Sequence, residues 1–210
     1  MSAPQQQVFS LPTPSRRALL GRRARLLAAA SVAYNLVEAV VAVAAGRVAD
    51  STALIGFGLD SVVEVMSGLV ILWQFGHHLP EEREHRARRV IAVSFLALAA
   101  YVTVESVRAL VTREEPDTSL VGIVLAALSL AVMPVLSRWQ RRTGRELGSG
   151  AVVADGTQTL LCTYLSAVLL VGLLANALLG WWWLDPVAAL VIAAVAVREG
   201  RSNWRGDACC

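Results

Sequence analysis

Residues 52–75 read TALIGFGLDSVVEVMSGLVILWQF, an apolar run carrying only two charged side chains, Asp60 and Glu64. A helix that crosses the hydrocarbon layer of a bilayer needs about twenty mostly apolar residues, and this stretch is long enough. Applied outward along the chain, the same criterion finds five more candidates, at 26–45, 90–111, 120–136, 153–179 and 183–197. The composition agrees. Of 210 residues 56% are hydrophobic and 17% charged, with mean hydropathy +0.56, which argues against an ordinary soluble globule and against disorder or a coiled coil. Cys162, Cys209 and Cys210 are the only cysteines, too few for a disulfide-stapled secreted scaffold. Six spans leave little chain for a separate soluble domain, so binding or catalysis must lie inside the bundle or on its short loops. The expected fold is an all-α integral membrane protein, a bundle of six transmembrane helices. It divides into an N-terminal tail (1–25), the membrane domain (26–198) and a short C-terminal tail (199–210).

The formal net charge of +3 and an isoelectric point near 9.1 matter less than where the charges fall, and no nucleic-acid partner is expected. Every basic residue is arginine. Sixteen lie in alternate segments: five between Arg16 and Arg25, four between Arg83 and Arg89, four between Arg138 and Arg145, and three between Arg198 and Arg205. The opposite connections hold only Arg47 and Arg113, and Arg108 ends a span. The positive-inside rule therefore predicts both termini in the cytoplasm. Trp181, Trp182 and Trp183 fall in an outer connection, where amphipathic rings favour the headgroup level, and Asp185 with Pro186 reads as the N-cap and first residue of the last helix. Arg22–Arg25 followed by LLAAASVA has the outline of a signal peptide, but the apolar run continues to Ala45 through Glu38, so an uncleaved first span is expected.

Charge inside hydrocarbon is costly, which makes Glu38, Asp60, Glu64 and Glu105 functional candidates, with Asp155 near the start of the fifth span. Asp60 and Glu64 are four residues apart, so a helix sets both carboxylates on one face about 6 Å apart along its axis. Two such anions need a cation between them, a shared proton, or an arginine partner, and Arg108 is the sole arginine within a span. The first two states suit a site that exchanges a divalent cation for protons, because carboxylates deprotonate to bind metal. In the fifth span ADGTQTLLC sets Gln158 and Cys162 on one face with Asp155 a turn earlier. Amide, thiolate and carboxylate are all ligands, and a thiolate favours softer ions such as Zn²⁺, Cd²⁺ or Cu⁺. The bland reading is a hydrogen-bonded glutamine and a cysteine packed as a small hydrophobe.

Asn35 and Glu38 in the first span, GRVADSTALIGFGLDSVVE leading through the second, ADGTQTLLC in the fifth and WWWLDPVAALVIAAVAVREG in the sixth together resemble the cation diffusion facilitator family of metal transporters, over most of the chain and in the same order. In that family the second span carries two acids four residues apart, and the fifth a histidine followed four residues later by an aspartate; together they hold Zn²⁺ or a related divalent ion. By this resemblance Asp60, Glu64, Gln158 and Cys162 form the metal set, with Asp155 matching a family aspartate just before it. Glutamine for histidine and cysteine for aspartate are departures, and the resemblance then implies a shift toward thiophilic metals. Typical members also append a cytosolic metal-sensing domain, for which REGRSNWRGDACC leaves no room, so the expectation is a short form whose homodimer, implied by the resemblance alone, is held by its spans.

His77, His78 and His85 share the segment GHHLPEEREHRARR with Glu81, Glu82 and Glu84, a composition that suits either metal capture or a solvated charged loop. Cys209 and Cys210 invite metal handling, lipidation or no role. The expectation is a divalent-cation efflux transporter of the cell membrane, exchanging Zn²⁺ or a similar ion for protons by alternating access, with Asn35, Glu38 and Glu105 as proton-path or supporting groups. The alternative is a metal-binding membrane protein that senses or buffers without turnover. No prosthetic group is expected, and no enzyme activity, because no catalytic motif is present.

Overall fold

The computed structural model describes residues 14–74, 81–113 and 115–205, and among them every regular element is an α-helix. Six occur in chain order: α1 (Pro14–Val48), α2 (Thr52–Gln74), α3 (Glu81–Thr112), α4 (Leu120–Leu147), α5 (Gly150–Leu179) and α6 (Leu184–Arg205). Four helices run well past the apolar limits read from sequence, α6 among them, which continues to Arg205 rather than 197. α1 starts at Pro14 rather than near residue 26, α3 at Glu81 rather than 90, and α4 continues to Leu147 rather than 136. The physical reason is that arginine and glutamate are good helix formers, so the helix continues into the polar segment where hydrophobicity stops. Arg142 and Glu146, four residues apart and 3.1 Å from each other, reinforce one such extension.

Five of the helices, α1 to α5, are long and apolar enough to cross a bilayer. α6 is not, because Asp185 at one end and Arg198, Glu199 and Arg201 at the other bracket a shorter apolar core. It packs into the same bundle all the same. The most extensive helix pairs are α4 with α5, α1 with α2, and α3 with α6, while α2 touches α1, α3, α5 and α6 and so occupies the middle. Leu54, Phe57, Val102, Met133, Leu169 and Ile192 are fully buried between the helices. Val40, Val104 and Val171 point outward, as apolar side chains do when the solvent is lipid.

Connections between helices are short and internally satisfied. Ser51, Ser119 and Ser149 cap α2, α4 and α5, each hydroxyl accepting the backbone N–H three residues on. α4 ends on Gly148 at φ 70°, a left-handed turn that glycine adopts without strain, and the chain reverses directly into α5. The two helices of this hairpin then meet almost backbone to backbone. A Cβ on Gly156 would lie 2.9 Å from the Arg141 nitrogen, and one on Gly144 2.8 Å from that of Val153. The Ser137 hydroxyl donates to the Gly156 carbonyl across the seam. This contact fixes Asp155, next to Gly156, against α4.

Candidate cation site

α2 carries Asp60 and Glu64 on one face, as their spacing requires, and both are buried. Glu64 lines a tight chamber, too narrow as it stands for a water molecule, whose other walls are Ser31 of α1 and Asp155, Gln158 and Thr159 of α5. Neither carboxylate oxygen of Glu64 has a hydrogen-bond partner, and Gln158 Nε2 and Asn35 Oδ1 are also buried without one. The Asn35 amide is within donating reach of Glu64, although its Nδ2 is given to Ser31 Oγ at 3.2 Å. A buried polar group left unpaired costs about 1–3 kcal/mol, so orphaned atoms gathered at one point mark a place that is completed by something else.

Asp155 is held from the far side, where Gln140 of α4 donates Nε2 to its Oδ2 at 2.8 Å. Asp60 sits one turn away on α2, within electrostatic reach of Glu64, Glu38 and Glu199, and does not line the chamber. Cys162 is 1% exposed and packed in the apolar core, again off the chamber wall. Glu64, Gln158 and Asp155 line this chamber together, with Asn35 beside Glu64, while Asp60 and Cys162 do not line it but stand within electrostatic reach of Glu64. Among the described residues no three histidine, cysteine, aspartate or glutamate side chains gather closely enough to hold a metal ion, so the chamber's polar character comes from two carboxylates supplemented by amides and hydroxyls.

Glu38 is fully engaged. Its Oε2 accepts the Ser61 hydroxyl at 2.7 Å, its Oε1 accepts the Ser129 hydroxyl, and Tyr34 Oη lies 2.8 Å from Ser129 Oγ. This network joins α1, α2 and α4 beside Asp60. Glu105 is partly exposed on α3 and paired with Arg108 at 3.6 Å. His77, His78, Cys209 and Cys210 fall outside the described residues, and His85 lies in the first turns of α3 with its side chain also outside them.

Asp185 departs from its expected role. It lies inside the first turn of α6 rather than capping it, and its carboxylate caps α2 instead, accepting the Ser51 hydroxyl at 2.5 Å and the Ala53 N–H at 3.2 Å. Sequence reasoning also passed over Gln140, Ser61, Ser129 and Glu199. The hydroxyls carried a usable signal, being polar residues inside apolar runs; Gln140 did not, since RWQRR reads as a solvated basic segment.

Residues 28–205 match the model of the cation efflux transmembrane domain. The chain is 24% identical to transmembrane protein 163 of Xenopus laevis, over 81% of this chain and 62% of that protein. It is 24% identical to an uncharacterised transporter of Synechocystis, over 82% of this chain and 59% of the other, and 23% identical to an uncharacterised transporter of Methanocaldococcus jannaschii, over 80% and 62%. The chain thus spans about three fifths of the length of these curated relatives.

Proposed function

Since the chain belongs to the cation efflux transmembrane domain family, we propose that it carries a divalent transition-metal cation, Zn²⁺ or a related ion, out of the cytoplasm in exchange for protons. The observation that carries this reading is the buried Glu64 carboxylate, unpartnered on both oxygens and facing Asp155 and Gln158 across the chamber. A membrane-embedded carboxylate with no partner is adapted to receive a cation or a proton in turn, which is the requirement of an exchanger. The arginine-rich ends of the bundle face the cytoplasm in this proposal, with both termini there, and the protein resides in the cell membrane as a homodimer. Alternating access supplies the movement: rocking of the bundle exposes the chamber first to one side, then to the other. Asp60 takes part as the next carboxylate along α2, and Glu38 as a group on the proton path.

The test is uptake of Zn²⁺, Cd²⁺, Co²⁺ and Fe²⁺ into proteoliposomes under an imposed pH gradient, comparing wild type with Asp60→Ala, Glu64→Ala and Cys162→Ser. Gradient-driven flux that both α2 variants abolish supports exchange. A second reading, binding without turnover in a sensor or buffer, is favoured by Gln158, a weaker ligand standing where the family carries histidine. Its signature is stoichiometric binding that requires Glu64 in a protein that gives no flux.

A further inference from the structure

We propose that the outward face of α6 holds an anionic phospholipid, its phosphate between Arg198, Arg201 and Arg205 and its acyl chain along Val187, Val191 and Ala194. These residues follow one another at alternating intervals of four and three, so on a helix they form a single stripe. Each of them is exposed. The opposite face of α6 sets that orientation. Ala189, Ile192, Ala193 and Ala196 are buried, and a Cβ on Gly200 would lie 3.0 Å from the Leu96 side chain of α3. Packing thus fixes the rotation of the helix and turns the arginines out of the bundle rather than into it. They line a groove of about 370 Å³ together with Ala194, Val197 and Ser202. The groove lies apart from the chamber between α2 and α5, and its ligand is independent of the transport reading.

The stripe changes character along its length, apolar over its first two turns and basic over its last two, which is the division of a phospholipid into chain and headgroup. Arg198 and Arg205 are about 10 Å apart along the axis, a distance that long arginine side chains close from both ends. Guanidinium groups grip phosphate oxygens in pairs, and basic pockets on the cytoplasmic side of membrane helices take anionic headgroups. Trp204 marks the depth. It is half exposed, the Arg89 guanidinium of α3 lies 5.8 Å from its ring centre, and an amphipathic ring at the end of a membrane helix belongs to the headgroup level. Glu199 stands within electrostatic reach of Arg198 but does not line the groove, so the arginines keep the excess of charge there. A second copy of the chain is a poor occupant, because a two-fold contact over this stripe sets three arginines against the same three.

The experiment titrates the full chain in dodecyl maltoside with phosphatidylglycerol or phosphatidylcholine and counts bound lipid by native mass spectrometry. Phosphatidylglycerol is expected to bind in preference, and Arg198→Gln with Arg201→Gln to weaken it by about thirtyfold, the contribution of two arginines near an anionic surface. Arg22→Gln with Arg25→Gln removes the same charge from exposed positions on α1 and is expected to stay within about threefold of wild type, since separated surface charges are screened. Arg205→Gln, a single change in the last turn of α6, repeats the comparison with the least disturbance to folding. Phosphatidylglycerol is also expected to raise the unfolding temperature of wild type and not that of the α6 double variant, while the two unfold together in phosphatidylcholine. Inorganic phosphate and glycerol phosphate, which lack the chain, are expected not to displace the lipid. Displacement by either shows a site for the free anion, and equal losses in the α1 and α6 double variants show a diffuse attraction; both overturn the proposal. Unchanged lipid affinity in the α6 variants overturns it as well, and a change in their oligomeric state then marks the stripe as a contact between copies.

Discussion

Gln140 of α4 donates its amide to Asp155 of α5 at 2.8 Å, with both side chains buried in the seam between the two helices. The pair explains how a carboxylate near the arginine-rich end of α5 is aimed into the bundle rather than out toward water. One of its oxygens is taken by the amide, and its wall of the chamber is set by the close contact of Gly156 with α4.

Replacing Gln140 with leucine therefore frees Asp155 to turn. The expected outcome is a loss of Zn²⁺ affinity of about tenfold, as for other residues that orient a ligand, with a fall in stability of about 1–3 kcal/mol from the carboxylate left short of a donor. Metal titration and denaturant unfolding in micelles measure the two separately. A stability loss with unchanged affinity would show that Gln140 supports the seam alone.

Asp185 ties the start of α6 to the start of α2 through Ser51 and Ala53. Alanine at this position removes two charge-assisted hydrogen bonds and a favourable anion at a helix N-terminus, so a destabilisation of about 2–4 kcal/mol is expected. Asp185→Asn, which keeps an acceptor for one of them, falls between alanine and wild type. Thermal unfolding of the three proteins in one detergent checks the order.

At the α4–α5 seam volume is decisive. Gly156→Val drives a branched side chain into the Arg141 and Gln140 backbone and side chain, and the expected outcome is loss of folded protein, read as aggregation on size-exclusion chromatography. Gly150, at the start of the same helix, has open space around it, so Gly150→Ala stays within about 0.5 kcal/mol of wild type.

These effects show what the sequence disclosed and what it did not. The helices were legible because apolar length reports directly on a bilayer-spanning segment; their true ends were not, because a helix continues through arginine-rich sequence that hydropathy counts as loop. Asp60 and Glu64 were placed on one face by spacing alone. Which of the two lines the chamber with α5 depends on how the helices are offset, a tertiary quantity that spacing does not carry. The same offset puts Gln158 at the chamber and Cys162 in the core, though both share a face of α5. Asp185 was misread as a local cap because its partner, Ser51, is 134 residues away.

The Glu38 network invites the sharpest test of role. Glu38 receives hydroxyls from α2 and α4 at once, so it is either a strut joining three helices or a group that exchanges protons beside Asp60. A strut predicts strong energetic coupling: in a double-mutant cycle Glu38→Ala and Ser129→Ala should interact by about 0.5–3 kcal/mol, whereas Glu38→Ala with Ser149→Ala, at a hairpin turn outside the network, should be additive. A proton-exchanging role predicts something a strut does not. Glu38→Gln, which keeps the shape and one acceptor but cannot ionise, should then retain cation binding and abolish flux driven by a pH gradient, while flux down a metal gradient alone survives. If Glu38→Gln leaves gradient-driven flux within about twofold of wild type while the coupling to Ser129 is present, Glu38 acts as the strut, and proton movement must rely on Asp60 and Glu64.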